Sequence, residues 1–287
     1  MRAVVKVEFT YKYDPSNNKV IVDAKTTEIL GVTICGAHAS DLISHARSVA
    51  DRVRAKTRTE YVQLKIGCVG EAFAATVGPA LIHALAGSAQ EVRLWSGLTP
   101  PMAEQLVGRE IDIAICNDAV ASNPRINQVT LFSEGFVLVV PRQDEGAPAP
   151  DIREISLRMP LLRYSLRSSI GQQIERYLRH MGVHSPRKFE FDATGPLIAL
   201  VGAGAGWAVS TPIALWQSRQ FLPDVSVFPL ADTALSRREF FLLSRLGEWA
   251  QLEKDVFRVS REVMQQQTVP ALRKVMTLLG EDAIRYP

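Results

Sequence analysis

The sequence is short of cysteine, of charge of one sign and of unbroken apolar runs, and each shortage argues against a class of protein. Its three cysteines, Cys35, Cys68 and Cys116, form no CxxC pair, which argues against a disulfide framework or a zinc ribbon and fits a reducing compartment. Lysine and arginine number 33 against 30 aspartates and glutamates, and the net charge of +3 neither marks nor excludes a nucleic-acid binder. Lys6, Glu8 and Lys12 interrupt the first residues before the apolar stretch of a secretory signal can form. The least charged stretch, 196–216, carries Gly202, Gly204, Gly206 and Pro212, so it reads as a buried helix, turn and strand rather than a membrane span. A soluble protein with a cytoplasmic location is expected.

Catalytic signatures are missing as well. There is no GxxxxGK[ST], no HExxH and no GxSxG. Gly202-Ala203-Gly204-Ala205-Gly206 follows a helical pattern and precedes a strand, the reverse of the order a dinucleotide loop needs, so it reads as a helix ending in a left-handed turn. His180 and His184 straddle Gly182 with no cysteine or carboxylate cluster beside them, as at a solvated helix end. Glu71, Asp112 and Asp118 fall near strand ends without a histidine or second carboxylate to form an acid/base pair. No enzyme activity, cofactor or metal site is expected.

What is present is an ordinary globular composition, 47% hydrophobic and 22% charged, over 287 residues. That length suits one large or two to three small domains. Val5, Val7, Phe9, Tyr11 and Tyr13 alternate with polar residues up to the turn cluster 14–18, and 19–25 resumes as strand, so 1–36 reads as an N-terminal hairpin segment. A long helix follows over 37–60. Its Ala39, Leu42, Ala46, Val49 and Val53 recur at spacings of 3 and 4, the stripe of a dimerisation seam, although the same stripe would also serve packing within one subunit.

From Val62 strand and helix patterns alternate. Strands are expected at 64–68, 91–95, 111–115 and 136–141, and helices at 72–86 and 101–107. After the polar connector 143–150, strands are expected at 161–164, 189–191, 207–210 and 239–243, with helices at 169–181, 196–201 and 252–267. Such alternation predicts α/β units and a mostly parallel sheet.

In open α/β sheets ligands sit beyond the carboxyl ends of the strands. Here those ends offer Val69 and Gly70, Ser96 and Leu98, Tyr164 and Ser165, and Thr194. Their hydroxyls and free helix-start N–H groups suit a small carboxylate-bearing effector, and Arg163 and Arg167 flank one of the segments. Ser and Thr at such places also serve simply as helix caps.

These pieces in this order resemble the effector-binding domain of LysR-type transcriptional regulators. The similarity is carried by Leu64-Lys65-Ile66-Gly67, by 106–115 with Gly108, Asp112 and Ala114, by Leu138-Val139-Val140-Pro141, and by 200–212 with Gly204, Gly206 and Pro212. Leu42 to Arg47 further resembles the linker helix that pairs two subunits of such regulators. The resemblance implies two Rossmann-like subdomains of periplasmic-binding-protein type, placed at 62–141 with 240–270 and at 142–239. It implies crossover strands near 136–141 and 239–243, an effector cleft between the subdomains, and self-association as a dimer or tetramer. The family's helix-turn-helix is not recognisable in 1–36. The resemblance implies promoter DNA as a partner, and the missing helix-turn-helix sets two alternatives beside it. One is an effector-domain-only modulator acting through a full-length relative, the other a cytosolic solute-binding protein.

Overall fold

The computed structural model describes residues 4–9, 18–23, 29–33, 61–97, 99–117 and 123–287. The linker helix with Ala39, Leu42, Ala46, Val49 and Val53 lies outside the described residues, as do Leu98 and Asp118. Contacts divide the chain into two units, 1–64 with 85–93, and 65–84 with 94–287.

In the first unit, β1 (Val4–Phe9) and β2 (Asn18–Asp23) form the expected antiparallel hairpin. A third strand that alternation did not reveal, β3 (Ile29–Thr33), pairs antiparallel with β2.

The second unit takes β4 (Tyr61–Val69) from Lys65 onward, and then helix α1 (Glu71–Leu85) as far as Ala84. The ends of β5 (Ala89–Gly97) beyond Arg93 follow, with α2 (Thr99–Val107) and β6 (Ile113–Cys116). Strands β7 (Ile126–Gly135) and β8 (Val137–Pro141) come next, before α3 (Ile152–Arg158), β9 (Leu162–Tyr164), α4 (Ser169–His180) and β10 (Phe189–Phe191). The chain then forms α5 (Thr194–Gly202), β11 (Ala208–Ser210), α6 (Pro212–Gln217) and β12 (Val225–Pro229). It closes with β13 (Arg237–Arg245), α7 (Ala250–Val263), α8 (Val269–Val275) and β14 (Ile284–Arg285). A π-helical turn, Met264–Thr268, joins α7 to α8, so the expected closing helix runs on beyond Gln267. No described helix is long and apolar enough to cross a membrane.

Two lobes result. The first is a sheet in the order β14-β7-β13-β6-β4-β5, and the second holds β11-β8-β12 beside the pair β10-β9. Strand β4 runs parallel with β6 and β9 with β10, whereas β13 runs against both β6 and β7, and β8 against both β11 and β12. The expected mostly parallel sheet is thus corrected to a mixed one. The physical reason is that β13 brings the chain back from the second lobe and so runs against β6 and β7, which share one direction, while β8 enters the second lobe against both of its neighbours.

The crossing points are also sharper than expected. Strand β8 pairs entirely inside the second lobe rather than the first, and β13 lies entirely inside the first. The chain changes lobe at Phe136 and at 230–236, and the Phe136 N–H donates to the Ser236 carbonyl at 2.7 Å, tying the two crossings together.

Each lobe has its own core. In the first, the rings of Phe73, Phe132 and Phe240 stack at 4.7–5.8 Å, near Ile66, Ile113 and Ile115, which are all fully buried. The second is built on Trp207, Tyr177, Val139 and Leu197, with the Trp207 indole N–H on the Met159 carbonyl at 3.2 Å. Helix α4 shows why its sequence is helical. Ser168 Oγ caps the Gly171 N–H, Gly171, Ile174, Tyr177 and Leu178 bury one face, and Gly182 at φ +71° turns the chain out beyond its end. A side chain at Gly171 would stand 2.1 Å from the Ser165 carbonyl oxygen, so glycine there lets the helix start sit directly on the preceding turn.

Candidate effector cleft

On the first lobe, β4 ends at Val69 and Gly70 makes the turn into α1 at φ +83°, its carbonyl accepting the Ala74 N–H at 3.1 Å. Ser96 is exposed near the end of β5. Asn117 closes β6 and is 4% exposed.

On the second lobe, Tyr164 ends β9 and Thr194 opens α5, and the structure brings these two together. The Tyr164 hydroxyl lies 3.0 Å from Thr194 Oγ1 and 2.8 Å from Ser210 Oγ. Burial pushes the tyrosine's pKa up, against the hydrogen bonds of Ser210 and Thr194 and the charge of Arg238, so it stays a neutral phenol. Tyr164 therefore positions Thr194 from below. Ser165 is 2% exposed, and its hydroxyl accepts the Arg167 N–H at 3.2 Å while its carbonyl accepts from Ser168. It shapes the turn into α4. Ala193 precedes α5 with no side-chain cap, unlike Ser168 before α4, so the first N–H groups of α5 have no side-chain acceptor.

The two arginines beside this segment differ. Arg167 is exposed and pairs with exposed Asp192 at 2.5 Å. Arg163 is turned inward, its guanidinium held by Glu175 and the Ser185 carbonyl, each at 2.5 Å, so the expectation that it flanks the site as a free charge is corrected. The reason is that β9 is buried on both faces, and the alternation of the strand does not carry Arg163 to solvent.

Two contacts that sequence reasoning missed join the lobes. At the crossing, Glu134 is fully buried and accepts from Arg238 Nε at 2.6 Å and from the Ile213 N–H at 3.0 Å, while Arg238 Nη2 also reaches Thr211 Oγ1 at 3.1 Å. At the strand ends, Asn117 Oδ1 accepts from Ser169 Oγ at 2.8 Å and the Asn117 carbonyl from Gln173 Nε2 at 3.0 Å.

Other candidates resolve into structure. Gly204 at φ +79° ends α5 with two hydrogen bonds, Ala205 N–H to the Leu200 carbonyl and Gly204 N–H to that of Val201, which is the left-handed helix end expected of the glycine run. Asp112 accepts the Lys65 N–H at 2.9 Å and lies 3.4 Å from Arg245. Cys68 and Cys116 are buried, and the register sets Cys68 beside Ile115, so Cys116 points to the opposite sheet face. Burial, and then the neighbouring thiol, push the Cys68 pKa up, leaving an unreactive thiol. Among the described residues no group of three or more His, Cys, Asp or Glu could hold a metal.

Comparison with known proteins agrees with this architecture. Residues 62–258 match the LysR substrate binding domain. The HTH-type transcriptional regulator YusT of Bacillus subtilis, itself uncharacterized, is 26% identical over 155 residues, 54% of this chain and 50% of that protein, so the match spans half the length of that relative. A Corynebacterium glutamicum OxyR C206 mutant superposes with a TM-score of 0.64 at 17% identity, over 87% of this chain and 80% of that one. Full-length CbnR in complex with its target DNA gives 0.56 at 20% identity, over 79% and 80%. Both crossings and the strand ends of the candidate cleft lie inside the matched span, and the chain belongs to the LysR family through its substrate binding domain.

Proposed function

We propose that the chain is a transcriptional regulatory protein that binds a small organic-acid effector between its lobes and controls transcription at promoter DNA in the cytoplasm. The observation that carries this reading is the pairing of a family-matched two-lobed unit with strand ends rich in hydrogen-bond donors. Gly70, Ser96 and Thr194 are its direct contacts, with Val69 and Leu98 beside them and Tyr164 and Ser165 holding the second lobe's turn in shape. The start of α5, free of a side-chain cap, and exposed Arg167 favour an anion. Such recognition uses binding and no bond chemistry, in keeping with a regulator rather than an enzyme.

A thermal-shift screen with small organic acids tests it. An effector at about 100 times its dissociation constant should stabilise the folded chain by roughly 2.7 kcal/mol. Gel shift with the promoter region then separates the alternatives. Retardation by the chain alone supports the regulator, retardation only with a full-length relative supports the modulator, and effector binding without either supports a solute-binding protein.

Ser96→Ala and Thr194→Ala should each weaken the effector by about ten- to a hundredfold, the worth of one hydrogen bond to a charged ligand. Calorimetric titration reads this, and unchanged affinity in both moves the site elsewhere. Ser96 is the cleaner probe because Thr194 also bonds Tyr164. For the proposed seam of Ala39, Leu42, Ala46, Val49 and Val53, charged residues at Leu42 and Val49 should give monomers with an intact fold. Light scattering that shows an unchanged mass would put the stripe inside the subunit.

A further inference from the structure

Away from the crossing, the lobes meet at a place the effector contacts do not use. Ser169 opens α4, and Gln173, one turn later on the same face, follows it, and both reach Asn117 at the end of β6. One bond takes the asparagine side chain and the other its carbonyl, so two neutral hydrogen bonds clasp the first lobe to the second. Asn117 is 4% exposed, and the contact is thereby shielded from water.

We infer that these bonds are a latch that holds the cleft shut in the effector-free protein, and that the effector binds from the unlatched population. The inference rests on the reading of the cleft as the effector site, and it adds what regulates entry. Helix α4 transmits the latch as one piece. Its first turn is capped by Ser168 and seated on the Ser165 carbonyl through Gly171, so releasing Asn117 frees the helix together with the 165–168 turn. The give is then at Phe136 and 230–236, where the chain passes between the lobes. A neutral hydrogen bond shifts such an equilibrium by roughly 2- to 10-fold, so the pair together sets the closed-to-open ratio by roughly 5- to 150-fold. Apparent effector affinity scales with the open fraction, and loosening the latch strengthens binding by up to the same factor.

Spin labels across the cleft test this on the full chain. Glu104→Cys on α2 and Arg176→Cys on α4, both exposed, carry the labels in a Cys35→Ser background, because the other two thiols are buried. Pulsed electron–electron resonance should give a dominant short distance. In Ser169→Ala/Gln173→Ala a longer distance should appear, its ratio to the short one raised by roughly 5- to 150-fold. Ser169→Thr keeps the hydroxyl and should retain the short distance. A distance distribution in the double variant that matches the wild type's overturns the latch, and so does a wild type in which the longer distance dominates. Circular dichroism melting checks that the double variant is folded, and Gln173→Ala, at a half-buried helix position, gives the same reading at roughly 2- to 10-fold should Ser169 be needed for folding. The measurement contains no effector. An unchanged distance therefore sinks the latch whatever the cleft binds, while a chain that no organic acid stabilises sinks the effector reading and leaves the distances as they are.

Discussion

Glu134→Ala should destabilise the two-lobed unit by about 3–5 kcal/mol, the loss expected when one partner of a buried ion pair is removed and the other stays behind. Glu134 is fully buried and Arg238 nearly so, with 2.6 Å between them. In the variant the guanidinium keeps only Thr211 Oγ1 and the face of Phe240, whose ring centre is 5.0 Å away, and the Ile213 N–H loses its acceptor. For a unit of this size the loss should lower the melting temperature by roughly 6–20 °C. Replacing both partners, Glu134→Leu with Arg238→Met, should recover most of it, because no charge is then left buried without a partner. A double variant as unstable as the single one would show that shape rather than charge holds the crossing. The position matters as much as the energy. Glu134 ends a strand of the first lobe, and the N–H it accepts belongs to the first turn of α6 in the second, so the pair fixes where the lobes pivot.

None of that was legible in the sequence. Glu134 and Arg238 are 104 residues apart, and Asn117 and Ser169 are 52 apart. Pairings of that separation leave no local pattern. What could be read was periodic or punctuated: Ile113–Cys116 as a continuous apolar strand, α4 by its 3.6-residue face, α5 by the glycines beyond it. Strand β7 was missed because Asn127, Gln128, Ser133 and Glu134 break its apolar run, and only its neighbours in the sheet bury its middle. Helices α3 and α6, of seven and six residues, are too short for a period to show. The candidate site was legible only as strand ends, on the same grounds. A doubly wound sheet places ligands at strand ends, which singled out Tyr164 and Thr194 as candidates, but whether a strand-end side chain turns inward depends on the second layer, which hid the engagement of Arg163 and Ser165.

Arg245→Met should cost about 3–5 kcal/mol at neutral pH, and the deficit should shrink in acid. Arg245 fastens the base of the first lobe. Its Nη1 donates to the carbonyls of Leu106 at 2.9 Å and Ile111 at 2.6 Å, its Nε lies 2.9 Å from Glu248, and its Nη2 lies 3.4 Å from Asp112. Glu248 is also gripped by both terminal nitrogens of Arg109, a residue held at φ +62°. Burial alone would raise the Glu248 pKa, but the hydrogen bonds and charges of Arg109 and Arg245 outweigh it and hold the carboxyl below the ordinary glutamate range. A depressed folded-state pKa contributes stability that is present above the unfolded value and lost as pH falls through the folded one. Burial raises Asp112, against its bonds to Lys65 and Arg245, so its contribution has the opposite sign and is lost as pH rises through its folded pKa. Without Arg245, Glu248 loses part of what depresses it and Asp112 part of what restrains its rise. Relative to the wild type, both carboxylates then cost the variant most when ionised, at neutral pH, and least once protonated. Urea midpoints for the wild type and Arg245→Met at neutral pH and at about pH 4 should therefore draw together on the acid side. Arg258→Ala is the control. It removes an exposed i,i+4 pair with Glu262, 3.1 Å apart, and should change stability by no more than about 0.5 kcal/mol. An Arg245 deficit that stays constant across this range would mean that the two carbonyl bonds, and not the carboxylates, hold the base of the lobe.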